Sequence, residues 1–116
     1  MIKFEFKRAL WLTALIVAVT LPQSAKTEEV ASQQLVIKNH IFEPTELIVP
    51  AGKPFKLVII NQDPTPEEFE SKALKREKVI KGNSQIELNI GALKAGEYSF
   101  VGEYHESTAK GKIIAQ

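Results

Sequence analysis

Apolar and polar residues alternate with a period of two along several short runs of this chain. Ile86, Leu88 and Ile90 fall on one face of an extended segment and Gln85, Glu87 and Asn89 on the other, which predicts a strand with one dry and one wet side. Tyr98 and Phe100 repeat that spacing within Glu97 to Val101, and further β-type runs are Leu35 to Lys38, Glu46 to Val49, Phe55 to Ile60, Lys78 to Ile80 and Lys112 to Ala115. Turn residues separate them, notably Pro50-Ala51-Gly52-Lys53-Pro54 and Gly91 to Gly96. About seven short strands with turns between them predict an all-β sandwich, a single domain over residues 34–116. The run Glu67 to Lys78 admits a short helical turn by its charge spacing, but its only apolar residues are Phe69, Ala73 and Leu74, too few to drive a helix.

The first residues follow another rule. Lys3, Lys7 and Arg8 precede an uncharged, mostly apolar run from Ala9 to Leu21, the pattern of an export signal. That run is shorter than the roughly 20 residues a membrane-spanning helix needs. Cleavage after Ala25 is the expected processing, giving residues 1–25 as signal peptide, 26–33 as a flexible leader and a periplasmic destination. Removing Lys3, Lys7, Arg8 and Glu5 turns the formal net charge of +1 into −1, so no nucleic-acid footprint is expected. The sequence has no cysteine. Disulfides, thiolate zinc sites, iron–sulfur clusters and blue copper of the two-His, one-Cys kind are therefore excluded.

In a sandwich, successive connections alternate between the two ends. If Leu35 to Lys38 runs upward, the Asn39 to Pro44 turn is at the top, Pro50 to Pro54 at the bottom, and Phe55 to Ile60 returns the chain to the top at Asn61 to Glu68. An upward run over 97–101 brings the loop GEYHESTAKG to the same end. His40, Glu67, Glu68, Glu103 and His105 then form the candidate metal-ligating set at one pole, with Glu103 and His105 on one side if the strand continues past Gly102.

The segments NHIFEPTELIVPAGKP, NQDPTPEEFES and GEYHESTAKG, with Tyr98-x-Phe100-x-Gly102-x-x-His105 at their end, resemble cupredoxins. More narrowly, they resemble the exported cupredoxin-like proteins associated with bacterial high-affinity iron permeases. The resemblance implies a Greek-key β-sandwich, a metal pole and a membrane permease as partner. In the blue-copper pattern the tail carries Cys, His and Met; here those positions hold Gly102, His105, and Ala109 or Lys110. The upstream His is matched by Glu67 or Glu68, and strand parity, which puts Glu67 on the face of Phe69, favours Glu67. Thiolate and thioether are gone, while imidazole stays and carboxylates replace the rest. Such a set suits copper(II), iron or zinc as a bound ion, not rapid blue-copper electron transfer.

Each candidate has a plainer explanation. His105 can be a loop histidine bonded to a carbonyl, His40 can simply close its turn, and Glu67, Glu68 and Glu70 can form a solvated acidic face. A metal-free sandwich serving as an interaction module is the alternative function. No nucleophile–base pair, phosphate loop or HExxH motif is present, so an enzyme is not expected.

Overall fold

The computed structural model describes residues 15–20 and 30–116. The expected signal and its cleavage site after Ala25 lie outside the described residues except for 15–20, which have no regular structure and expose Leu15, Ile16, Val17 and Val19. Among the described residues, no helix is long and apolar enough to cross a membrane.

From Ala31 onward the chain is all β. Its strands are β1 (Ala31–Lys38), β2 (Ile41–Glu43), β3 (Glu46–Val49), β4 (Phe55–Asn61), β5 (Glu67–Ser71), β6 (Arg76–Ile80), β7 (Ser84–Ile90), β8 (Gly96–Gly102) and β9 (Lys110–Ala115), with one turn of 3₁₀ helix over Glu103–His105. Four strands form one sheet in the order β2-β1-β4-β7, and five form the other in the order β3-β9-β8-β5-β6. The chain passes back and forth between the sheets rather than completing one before starting the next.

There are nine strands where the pattern predicts about seven. β2 is three residues long, too short to show a period, and in β5 the inward positions are Glu67, Phe69 and Ser71, only one of them apolar. The segment Glu67 to Lys78 is a β5–β6 hairpin and not a helical turn. Its bend is fixed by Ser71, whose Oγ donates to the Ser99 carbonyl at 2.7 Å and accepts the Leu74 amide at 3.1 Å, and by Lys75 at φ 55°. β1 begins at Ala31, so the last part of the expected 26–33 leader belongs to the fold. It is held there because β1 runs parallel to β4 in continuous register from Ala31↔Phe55 to Ile37↔Asn61.

Alternation builds the core. Leu35 and Ile37 from β1, Phe55, Leu57 and Ile59 from β4, Leu88 and Ile90 from β7, and Ile113 and Ala115 from β9 all point between the sheets. Burying each large side chain contributes roughly 1.5–3 kcal/mol, which in a chain without cysteine is the main source of stability.

At one end the core closes on three phenyl rings. Phe42 meets Phe100 edge-on at 5.0 Å and Phe69 at 6.4 Å, and Phe69 lies tilted on Phe100 at 5.4 Å. Each ring stands two residues from a position at the polar end: Phe42 from His40, Phe69 from Glu67, Phe100 from Gly102. For Phe69 and Phe100 the two positions share a strand face, and Phe42 lies in the short strand just after the turn that carries His40, so the fully buried rings anchor the elements that carry the polar residues above them.

Candidate metal centre

His40 sits in the tight turn between β1 and β2, where Asn39 and His40 both take left-handed backbone, φ 52° and 57°. Such a pair is strained for residues other than glycine, although Asn tolerates it, and it persists only when something holds it. Asp63 holds it. Its Oδ1 accepts the Asn39 amide at 2.8 Å and its Oδ2 the His40 amide at 3.0 Å. Asp63 is placed in turn by Asn61, which is buried at the end of β4. The Asn61 Oδ1 accepts the Asp63 amide, and its Nδ2 donates to the carbonyls of Thr65, Ile80 and Lys81. Burial raises the Asp63 carboxyl, but the two backbone amides, with the imidazoles nearby, outweigh it and hold the group below the usual carboxylate range.

Glu67 is the inward-facing first residue of β5 and is only 1% exposed. A buried carboxylate requires partners, and this one has three. Oε1 accepts the Tyr104 amide at 2.9 Å and the Glu68 amide at 3.0 Å, while Oε2 pairs with Nδ1 of His105. His105 ends the 3₁₀ turn, and its carbonyl accepts the amides of Thr108 and Ala109, which closes the loop into β9. The two imidazoles then stack: the His40 and His105 rings lie 3.6 Å apart and within 15° of parallel. One donor atom each from His40, Glu67 and His105 lies within 4.8 Å of the others. Three segments far apart in sequence thus meet at one pole, and the upward course of the strand before the GEYHESTAKG loop is as expected.

Glu68 and Glu103 do not join them. They group instead with Glu77, on the outer side of the second sheet. Glu68 follows from parity, since it alternates with Glu67 across β5. Glu103 departs from expectation because the strand ends at Gly102: the chain turns into 3₁₀ helix, so Glu103 and His105 are no longer on one extended face. Glu77 completes this second group.

The crowding has an electrostatic effect. The Glu68 carboxyl is pushed up to about 7, first by its hydrogen bond with Glu77, then by burial and by the charges of Glu103 and Glu77. A carboxyl raised above its unfolded value of 4.5 keeps a proton in the folded state that the unfolded chain releases. Its contribution to stability therefore declines as pH rises from 4.5 toward 7. Melting temperatures measured between pH 5 and 8 are expected to show that decline, and Glu68→Gln to flatten it. An unchanged pH profile in the variant would count against the raised Glu68 carboxyl.

Gly102 takes part through the side chain it lacks. A Cβ built there would stand 2.7 Å from the Ala109 Cβ and 2.7 Å from the Glu67 Cδ, closer than real Cβ atoms approach such neighbours. The space beside Gly102 is filled by the Glu67 carboxyl and by Ala109, which is fully buried.

A family model for the cupredoxin-like domain matches residues 11–115. The chain belongs to the cupredoxin-like domain family. An uncharacterised protein of Rickettsia prowazekii (strain Madrid E) is 38% identical over 87 residues, covering 75% of this chain and 70% of that protein. Auracyanin A, a blue copper protein of Chloroflexus aurantiacus, matches with a TM-score of 0.64 at 16% identity, over 76% of this chain and 100% of its own. The metal-binding domain of the Cu(I)-exporting P-type ATPase of Streptococcus pneumoniae D39, solved with Cu(I), matches with a TM-score of 0.61 at 12% identity, over 73% of this chain and 84% of its own. The latter two are likenesses of fold.

Within this cupredoxin-like domain a blue-copper ion does not fit. The position that would supply the thiolate is Gly102, no cysteine exists elsewhere in the sequence, and the carboxyl of Glu67 takes up the room. The donors present are imidazole nitrogen and carboxylate oxygen, which fit a borderline or hard ion. Sequence reasoning missed Asp63 and the space-making role of Gly102. An Asx residue just after an apolar strand, as in Asn61-x-Asp63, was the available signal for the first; nothing local signals the second.

Proposed function

We propose that this is an exported metal-binding protein of the cupredoxin-like family that takes up one transition-metal ion, copper(II) foremost, at His40, Glu67 and His105, for metal uptake or handling rather than electron carriage. The observation that carries the proposal is the convergence of two imidazoles and a buried carboxylate, from three separate segments, within 4.8 Å of one another. Solved proteins of this fold that are named for copper support the choice of ion. Export to the periplasm rests on the basic residues and apolar run near the N-terminus. A role in iron uptake beside a membrane permease is the narrower form of the proposal, and it rests on the resemblance of three sequence segments alone.

An imidazole nitrogen offers its lone pair in the ring plane, so two rings stacked nearly parallel cannot both aim at one ion as they stand. Uptake by both requires one ring to turn out of the stack. His40 is the ring less firmly held, since its Nδ1 lies 3.5 Å from Asp63 Oδ2 whereas that of His105 is hydrogen-bonded to Glu67.

Titration calorimetry of the full chain with copper(II) at neutral pH is expected to give about one ion per chain, and His105→Ala to abolish the uptake. No heat with copper(II), iron(III) or zinc(II) would overturn the proposal. The second reading, a metal-free interaction module, draws on the self-sufficiency of the pole: among the described residues no buried side-chain polar atom lacks a hydrogen-bond partner. The two readings separate in a melting experiment, because an ion bound to the folded state at 100 times its Kd adds about 2.7 kcal/mol and an interaction module gains nothing.

A further inference from the structure

We infer that Asp63 is the positioning residue for His40: it fixes the turn that presents the ring to His105 and sets which nitrogen of His40 stays open as a donor. The backbone argument comes first. Asn39 and His40 are consecutive residues at positive φ, and both of their amides are taken by the two oxygens of one carboxylate. No other group among the described hydrogen bonds accepts from these two amides. Asp63 is itself buried to 7% exposure and is locked by Asn61 Oδ1 and by the Asn83 amide, which donates to its carbonyl at 2.8 Å. The clamp is therefore rigid where the turn alone is not.

The ring argument follows from the same carboxylate. Oδ2, which accepts the His40 amide, also lies 3.5 Å from the His40 Nδ1. A negative oxygen that close favours the tautomer with its proton on Nδ1, which leaves the lone pair on Nε2. His105 shows the same arrangement in tighter form, its Nδ1 against Oε2 of Glu67. The two stacked imidazoles thus each have Nδ1 against a buried carboxylate, one from the loop after β4 and one from β5. A carboxylate placed behind a histidine in this way commonly orients a metal ligand, which is the part Asp63 would play for His40; Glu67, a ligand of the proposed site, would have to exchange its contact with His105 Nδ1 for the ion. The consequence for metal binding rests on the function proposed above; the positioning itself does not.

Long-range proton–nitrogen NMR spectra of the full-length, metal-free protein at about pH 9, where ordinary histidines are neutral, read the tautomer directly. The wild type is expected to show the Nδ1–H form at both His40 and His105. Asp63→Asn keeps the size and removes the charge. It is expected to lose the tautomer preference at His40 and the ring-current shifts from stacking, while His105, held by Glu67, keeps its form. An Nε2–H form at His40 in the wild type would overturn the inference without any variant being needed. So would an unchanged tautomer and unchanged ring-current shifts in a folded Asp63→Asn protein. In copper(II) titrations the variant is expected to bind about tenfold more weakly, where His105→Ala binds nothing. If the wild type takes up none of copper(II), iron(III) and zinc(II), the proposed function fails, and the NMR comparison still decides the role of Asp63.

Discussion

Glu67→Ala is expected to be the most damaging single substitution in the domain, costing about 3–5 kcal/mol and lowering the melting temperature by roughly 15–30 °C. Three partners lose their acceptor at once: the Tyr104 amide, the Glu68 amide and the His105 ring. A buried donor left without a partner costs about 1–3 kcal/mol, and these three contacts, part-buried, lie at the lower end of that range. Glu67→Gln separates shape from charge. The glutamine oxygen can still accept both amides and its NH₂ can face His105 in the other tautomer, so a loss of only about 1–2 kcal/mol is expected. Thermal unfolding of the two variants beside wild type is the check. Equal, small losses in both would mean that the carboxylate is not the keystone of this pole. Because the alanine variant risks unfolding, glutamine is the variant to use in copper titrations.

Gly102→Cys is expected to destabilise the protein by about 1–3 kcal/mol and not to create a blue-copper centre. The intuitive expectation is the reverse, since the substitution writes back the residue that blue-copper cupredoxins carry at this place in the tail pattern. Sterics decide otherwise. The new Cβ would press on the Ala109 Cβ and the Glu67 Cδ at 2.7 Å each. The Glu67 carboxyl is held by three hydrogen bonds in a buried setting and has no easy way to retreat. Melting curves and visible spectra after copper(II) addition test both halves of the statement. A stable variant showing intense thiolate-to-copper absorption would refute the account of the filled space. Glycine at 102 and glutamate at 67 are one solution, and exchanging either alone leaves the other misfitted.

Much of this architecture could be read from the sequence because strands announce themselves by parity. Ile86, Leu88 and Ile90 mark β7, and the same rule correctly turns Glu67 inward beside Phe69 and Glu68 outward. The meeting of the His40 turn with the segment leading to Glu67 was legible too, because alternation makes β1 and β4 parallel and brings their following loops to one end; the arrival of His105 there rested on an assumed upward course for 97–101, which the pattern does not give. What escaped had no period to show. β2 spans three residues, and β5 carries three glutamates and a single apolar residue, so neither separates from loop by pattern alone. Glu103 was misplaced for a different reason. Extending the rule of two beyond Gly102 assumes a strand, whereas the Tyr104 amide and the His105 ring both reach back to Glu67 and curl the chain into a 3₁₀ turn. A long-range carboxylate thus overrides local parity, and no local reading detects it.

The pairing of β3 with β9 governs the order in which this molecule can assemble. β3 forms an edge of its sheet, and its one neighbour there, β9, enters more than sixty residues later, with Glu46 opposite Lys112 and Val49 opposite Ala115. The five-stranded layer cannot close until the last described strand is available, and β1 must likewise wait for β4. Non-local, parallel closures of this kind are slow to nucleate. Refolding is therefore expected to be slow, and the edge strand β3 stays without its sheet neighbour until the β9 segment docks.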